Sequence, residues 1–261
     1  MKVCYVLDIG VYNLGNQGQV LKSTTAAWAR VAAGTGSFDS IEYSGLPASG
    51  TLAQAENQWE CGRDVELLAK RVSNDLAAGH FVALGFEAPM WFPTAVASTN
   101  AMQLFGSRFE AERGSEWYLQ SGAAATVKAL SLGTLLFSRL LASNHVRLTT
   151  DPAAAAQQTI VLFEAFVVGG FKQPPPHGVG AANTNEWDAF CAGLAWGSLH
   201  SAIAVPESVS PTRLHFSGGS SRRAASVWRM LAGTVETFPK IEGPSDCEVV
   251  ALASKETRTA G

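Results

Sequence analysis

The chain has 261 residues, of which 47% are hydrophobic and 16% are charged, and its formal net charge at pH 7 is −3. This composition favours a globular fold over a disordered chain, and the length is enough for one large α/β domain or two small ones. The net charge supplies no global basic field, so local arginines would have to attract a nucleic-acid partner.

The cysteines and the hydropathy pattern bear on the cellular compartment. Cys4, Cys61, Cys191 and Cys247 show no CxxC spacing, which indicates no disulfide framework. The apolar run before Asp8 is too short for a signal peptide, and no charge-free apolar run reaches the ~18 residues of a membrane span. We therefore expect a protein of the reducing cytoplasm.

The first predicted element is a short strand that covers residues 3–7 and ends in Asp8. Its β-branched and aromatic residues are typical of a buried central strand. A carboxylate at the point where a buried strand emerges costs free energy unless a cation or hydrogen-bond donors meet it. Asp8 is therefore a candidate functional group. The alternative is that Asp8 only caps a turn with Gly10.

Two more strands are predicted at residues 24–33 and 38–44, with a hairpin turn between them at residues 34–36. Residues 11–18 contain glycines whose spacing matches neither of the common phosphate-binding patterns, so a turn between strands is the simpler interpretation. Residues 47–62 are small and polar, which predicts a loop.

A helix is predicted over residues 64–78, because apolar residues at 65, 68, 72 and 76 have the spacing of one helix face. Asp64 belongs to its first turn and Gly79 ends it. An apolar strand follows at once and ends in Glu87. Because a helix crosses over before it, this strand should run parallel to its neighbour.

The segment from 93 to 121 combines cations with aromatic rings. Arg108 and Arg113 lie there with Phe109, Trp117 and Tyr118. Positive charge beside rings on which bases stack is typical of a nucleic-acid groove, which makes both arginines candidate substrate-binding residues. A solvated connecting helix is the alternative.

Further elements follow in the second half of the chain. Residues 123–142 are apolar nearly all round, which predicts a buried helix, and a short helix is expected at residues 151–158. The apolar run 159–163 predicts a strand that ends in Glu164. His177 lies in a stretch rich in proline and glycine, where a solvated side chain is expected.

A last long helix is predicted at about residues 184–204, with Asp188 beside Glu186 in its first two turns. The helix dipole favours acids near the start of a helix, which would explain both Glu186 and Asp188. The alternative is that Asp188 faces the carboxylates at the strand ends. Arg222 and Arg223 end a glycine-rich basic loop that either touches phosphates or is simply mobile.

A helix near residues 223–231 and a strand near residues 248–253 complete the predicted elements. No internal repeat and no domain boundary is evident. We therefore expect a single domain.

Three of the predicted strands have an acidic residue at the carboxyl end, namely Asp8, Glu87 and Glu164. Parallel strands share one edge at their carboxyl ends, where ligands bind in open α/β sheets, so these side chains are expected to converge. Clustered carboxylates repel one another unless a cation lies among them, and Mg²⁺ or Mn²⁺ is the usual partner. Asp188 would be the fourth carboxylate.

This order of elements, βββαβαβα with acids on the first, fourth and fifth strands and on the last helix, resembles the ribonuclease H-like fold. More narrowly, the chain resembles the DUF429 family of predicted nucleases. The matching segments are 8–10, Trp28, 82–89, 163–164 and 187–192. The likeness spans about residues 2–204, which leaves 205–261 as a C-terminal extension.

The resemblance implies a mixed five-stranded sheet flanked by helices and a metal-dependent phosphodiester hydrolase that acts on nucleic acid. It assigns Asp8, Glu87, Glu164 and Asp188 both as catalytic residues and as ligands of Mg²⁺ or Mn²⁺. The chain departs from the family at Glu87, where an aspartate is common, and at 185–186, where a His-Asp pair is common.

Two alternatives remain open. One is a ribonuclease H-like binding protein for nucleic acid or a small ligand that has lost the chemistry. The other is a sugar-kinase or actin-like ATPase, which is weaker because the sequence around Glu164 supplies no second phosphate-binding Asp-x-Gly strand.

Overall fold

A computed structural model describes residues 2–9, 26–32, 49–54, 57–62, 64–95, 121–142, 146–165, 184–201, 209–213, 222–226, 240–243 and 247–254. Within these residues the chain forms an α/β fold in which helices flank a mixed, open sheet.

The strands of the described segments are numbered in chain order. They are β1 (Lys2–Ile9), β2 (Ala26–Ala32), β3 (Ser49–Gln54), β4 (Asn57–Gly62), β5 (Phe81–Phe86), β6 (Trp91–Ala95), β7 (Arg147–Thr149), β8 (Thr159–Ala165), β9 (Val209–Arg213), β10 (Arg222–Ser226), β11 (Ile241–Glu242) and β12 (Val249–Ser254). The α-helices described are α1 (Val65–Ala77), α2 (Ser121–Leu141) and α3 (Thr184–Ser201).

The main sheet has the order β11-β7-β8-β5-β1-β2-β4-β3, and β12 pairs with both β8 and β9. Strand β1 is antiparallel to β2 and parallel to β5, which confirms the predicted parallel pairing across the crossover helix. Strand β8 continues the parallel set beside β5. Its other edge is covered first by β7 and then, from Glu164, by β12. Strands β9, β11 and β12 therefore join the same sheet as the segments before residue 205.

The sheet has a separate hydrophobic core on each face, because successive strand residues point to opposite sides. One core contains Tyr5, Leu7 and Phe86 and packs against α1 and α2. The other contains Val6 and Phe163 and packs against α3. Fully burying one such side chain contributes about 1.5–3 kcal/mol, so both layers stabilise the central strands.

Helix α1 forms as the sequence predicts. The carboxylate of Asp64 caps it by accepting hydrogen bonds from the backbone N–H groups of Glu66 and Leu67. The indole N–H of Trp28 donates to the Asp64 carbonyl at 2.9 Å, which ties the start of α1 to β2. Just past the other end, Gly79 has a φ of +75°, a conformation that glycine adopts without steric cost.

A buried polar network joins α1 to the sheet. Arg30 donates to Asp75 from Nε at 2.8 Å and from Nη2 at 2.9 Å, and the Tyr5 hydroxyl donates to the same carboxylate. Burial opposes ionisation of Asp75, but these hydrogen bonds outweigh it and hold the pKa of the carboxyl below its usual range. Burial followed by the Asp75 charge raises the pKa of Tyr5 far above its usual value. His80 Nδ1 lies 3.0 Å from Asp75 Oδ1 at the edge of the network.

Several predicted elements are confirmed within one to three residues. Helix α3 covers most of the predicted 184–204, and β12 matches the predicted strand at 248–253. Helix α2 matches the predicted 123–142, although Val127 on it is 66% exposed, so it is not buried all round. Cys4 and Cys191 are buried free thiols that pack in the core under α3.

Other predictions were wrong. The predicted loop at 47–62 contains the antiparallel hairpin β3–β4, because polar residues can extend a sheet at its margin. The short strands β6 and β7 were not predicted. Of the short helix expected at 151–158, only a 3₁₀ turn at Pro152–Ala154 is present.

Arg222 and Arg223 begin strand β10, which corrects the predicted start of a helix at residue 223 and the end of the predicted basic loop; the glycine-rich part of that loop, residues 218–221, lies outside the described residues. The predicted strand at 38–44, the loop at 11–18 and His177 lie outside the described residues. Among the helices that the structure describes, none combines the length and the hydropathy needed to cross a membrane.

Candidate acidic site

Asp8 is a buried carboxylate near the end of the central strand. It is 2% exposed, and its backbone position pairs with Ala27 on β2. Because side chains alternate along a strand, Asp8 lies on the same side as Cys4 and Val6, which belong to the core under α3. Asp8 therefore faces the layer that contains α3.

Helix α3 runs antiparallel to β1. At one end Lys2 Nζ donates to the His200 carbonyl at 2.6 Å. Further along, a Cβ atom added at Gly193 would lie 2.9 Å from Val31 Cγ2 and 3.8 Å from Val6 Cγ2. The helix advances about 1.5 Å per residue and the strand about 3.3 Å, so the first two turns of α3 reach the level of Asp8.

Two acids lie on those turns, and both are buried. Glu186 is 2% exposed and Asp188 is 5% exposed. Glu186 precedes Gly193 by nearly two full turns, which places it on the helix face that approaches β1 and β2. Asp188 lies about 140° around the helix from Gly193, on another face. The structure therefore adds Glu186 to the candidate acids of this site. The sequence places Glu186 beside Asp188, but Asp188 was the predicted ligand.

The spacing that identifies Glu186 was present in the sequence. Glu186, Phe190, Gly193 and Gly197 follow the i, i+4, i+7, i+11 pattern of one helix face. Small residues on a buried helix allow close approach to a sheet, so the two glycines mark the face that touches it.

Glu87 lies beside Asp8. Leu7 and Phe86 are partners in the parallel pairing of β1 and β5, and the Glu87 N–H extends this pairing by donating to the Leu7 carbonyl at 2.9 Å. Asp8 and Glu87 are thus the next residues of two adjacent strands, whose backbones lie about 4.8 Å apart. Glu87 is half-buried, which leaves it access to solvent.

Glu164 lies on the other face of the sheet. Because side chains alternate along a strand, Glu164 points to the same side of β8 as Ile160 and Leu162, which pack in the core under α1 and α2. Its side chain is 0% exposed, and Oε1 accepts a hydrogen bond from the Met90 N–H at 2.6 Å. This carboxylate therefore holds the chain segment that follows Glu87.

The four predicted ligands consequently divide between the two faces. In the described segments, no group of three or more His, Cys, Asp or Glu side chains has a geometry that could hold a metal ion. Carboxylates are chemically suitable donors for Mg²⁺ or Mn²⁺. As arranged here, they do not fit a preformed cage for either ion.

The predicted substrate-binding arginines have different outcomes. Arg108 and Arg113 lie outside the described residues. Strand β10 pairs antiparallel with β6, so that Arg222 is opposite Ala95 and Arg223 is opposite Thr94. Strand β6 begins at Trp91, shortly after Glu87. The pairing therefore places the backbone of both arginines beside the segment that follows Glu87.

Comparison of the chain with protein-family models, with curated proteins and with solved structures gave no match.

Proposed function

We propose that this protein is a ribonuclease H-like phosphodiester hydrolase that acts on nucleic acid and depends on Mg²⁺ or Mn²⁺. The observation that carries the proposal is the strand order β4-β2-β1-β5-β8. Strand β2 is antiparallel to both of its neighbours, whereas β1, β5 and β8 are parallel. In the sequence, α1 follows β4, α2 follows β5 and the short strand β6, and α3 follows β8, an order of helices that supports this fold.

The carboxylates near the end of β1 support the same proposal. Asp8 and Glu87 are neighbours on adjacent strands, and Glu186 lies at about the level of Asp8 on the facing helix. Mg²⁺ is commonly bound through one or two carboxylates together with substrate phosphates. We therefore propose that metal and nucleic acid bind together, which requires no preformed cage. A bound ion would supply charge stabilisation and an activated water.

A polyanion that approaches these acids is repelled unless basic groups offset them. Arg222 and Arg223, which β10 brings to the segment after Glu87, are the described candidates for that role. Arg108 and Arg113 remain proposed contacts on the basis of the sequence.

The experiment compares Asp8→Asn with Asp151→Asn. The control carboxylate caps the turn at Pro152–Ala154 by accepting from the Ala153 N–H, a role that asparagine also fills. Labelled single-stranded, double-stranded and hybrid DNA and RNA are incubated with each protein and Mn²⁺. We expect cleavage by the wild type and by Asp151→Asn and none by Asp8→Asn, with both variants folded by circular dichroism. Unchanged turnover in Asp8→Asn would contradict the proposed site.

A second candidate function is binding of nucleic acid without cleavage. The hydrogen bond between Glu164 and the Met90 N–H favours it, because that carboxylate already has a structural role. The two functions differ in their response to metal. A hydrolase of the proposed kind should show a higher unfolding midpoint with Mn²⁺ and a non-cleavable oligonucleotide together than with either alone. A binding protein should respond to the oligonucleotide and be indifferent to Mn²⁺.

A further inference from the structure

A second concave site lies at the opposite end of the sheet from Asp8. It is a cavity of about 80 Å³ between the first residues of β1 and β5 and the last turns of α3. Its buried wall consists of Cys4, Ala83 and Val161 from the sheet and Trp196 and Gly197 from the helix. Nothing in the proposed hydrolysis uses these residues.

The cavity exists because small residues face one another. Cys4 and Ala83 leave space above the sheet, and Gly197 has no side chain to fill it from the helix. Burial raises the pKa of the Cys4 thiol, which keeps the thiol neutral and makes it part of an apolar wall. The wall is therefore suited to hydrocarbon.

The rim of the cavity carries a cation. Lys2 is exposed at the rim, and its ammonium donates to the His200 carbonyl at 2.6 Å. An ammonium has three N–H donors, so this bond holds the charge in place and leaves two donors for a ligand. Phe81, which is 38% exposed, extends the apolar surface at the rim.

The nearby carboxylate does not cancel this charge. Glu248 accepts from Arg213 Nε and lies within hydrogen-bond distance of His200 Nε2. Burial alone would raise the pKa of Glu248, but these two partners lower it, so the carboxylate is ionised and already bound by its own basic partners. Lys2 is thus available to an incoming anion.

From this arrangement we infer that the cavity binds a short-chain monocarboxylate, with its hydrocarbon chain between Ala83 and Gly197 and its carboxylate on Lys2. A cavity of about 150 Å³ holds a benzene ring, so the smaller space here suits a chain of about three or four carbons. A single ammonium at the rim matches one negative charge better than two. This inference does not depend on the proposed hydrolysis.

The test uses sodium butyrate as the probe and butanamide as its neutral counterpart of the same shape. Binding to the full chain is measured by titration calorimetry and by the unfolding midpoint, with sodium chloride matching the ionic strength. We expect butyrate to bind and to raise the midpoint, and butanamide to bind more weakly. Lys2→Met keeps the apolar stem and removes the charge, and should weaken butyrate binding about tenfold, the usual value of a hydrogen bond to a charged group.

Two further variants make the result specific. Lys70→Met removes an exposed ammonium from α1 outside the cavity lining, and it should bind butyrate like the wild type. Ala83→Val fills part of the cavity and should abolish binding. The inference is overturned if the wild type fails to bind butyrate at about 50 mM, a concentration that would still reveal a weak ligand. It is also overturned if folded Lys2→Met or folded Ala83→Val binds butyrate with wild-type affinity.

Discussion

Replacing Asp75 with asparagine should lower the free energy of unfolding by about 3–5 kcal/mol, because it leaves a buried guanidinium without its counter-charge. Arg30 is 9% exposed and Asp75 is 7% exposed, so water cannot take the place of the lost carboxylate. Asparagine keeps one acceptor oxygen for Arg30 and Tyr5, which puts the expected loss near the lower end of that range. The same reasoning predicts a similar loss for Arg30→Met.

The double variant Arg30→Met/Asp75→Leu separates the strength of the pair from the cost of breaking it. Burying two charges costs free energy that their attraction only partly recovers, so apolar replacements of both can be nearly neutral. We therefore expect the double variant to lose clearly less stability than the sum of the single variants Arg30→Met and Asp75→Leu, with a coupling of at least about 2 kcal/mol.

The assay is urea denaturation at pH 7, followed by circular dichroism and extrapolated linearly to water. The pair Glu66 and Arg139 serves as the control, since it joins α1 to α2 at 2.9 Å with side chains that are 53% and 55% exposed. Exposed ion pairs contribute about 0–1 kcal/mol, so Glu66→Gln and Arg139→Met should have small effects. If Asp75→Asn costs no more than Glu66→Gln, or if the buried pair shows additive losses, the reasoning is wrong.

Three other outcomes are expected. Stability should decline as the pH falls through the folded-state pKa of Glu248, which lies below its unfolded value of about 4.3, and Glu248→Gln should flatten this decline in urea titrations between pH 3 and 7. Gly85→Ala should destabilise the fold by about 1–3 kcal/mol, because its Cβ would lie 2.4 Å from the Phe163 ring, and Phe163→Leu in the same chain should recover part of the loss on thermal unfolding. Under the proposed function, Glu186→Gln should reduce Mn²⁺-dependent cleavage more than Asp188→Asn, and the opposite ranking would favour the assignment made from sequence.

The central strands and α1 could be predicted because their environments leave strong local signals. Strand β1 is buried on both faces, so it appears as an uninterrupted apolar run. Helix α1 has a capping acid at Asp64, an apolar face and a glycine at Gly79, where φ is positive. Each of these signals reflects a physical requirement within a few residues of chain. Partners from distant parts of the sequence are not needed to recognise them.

The hairpin β3–β4 lacks such a signal. A strand at the margin of a sheet is held largely by backbone hydrogen bonds, which any residue except proline can make. Cross-strand partners such as Ala29 and Cys61 are therefore not evident from the polar composition of residues 47–62. Strand β7, with three residues, is too short for any periodicity to show.

The acidic site shows a different limit. Asp8 and Glu164 both end apolar runs, which suggested one shared cluster. In the sheet, Leu7 pairs with Phe86 and Phe86 pairs with Glu164, so these three side chains point to the same face. Asp8 is the next residue after Leu7 and therefore points to the other face. A shift of one residue in register exchanges the two faces of a strand, and the register is decided by pairing rather than by the strand itself. The sequence therefore showed that Asp8 and Glu164 are unusual acids at the ends of apolar strands. Whether they lie on the same face of the sheet depended on the strand register, which the sequence alone does not show.

The pairing of β8 with β12 has a consequence for the order in which the protein folds during synthesis. The Glu164 N–H donates to the Glu248 carbonyl at 2.8 Å, across a separation of 84 residues. At roughly 5–20 residues per second, a ribosome takes about 4–17 s to make that intervening chain. Until then, the second half of β8 has an open edge, whereas the same edge of its first half can already pair with β7. The nascent sheet therefore passes through a stage in which this edge is exposed to other chains, and the later strand ends that stage.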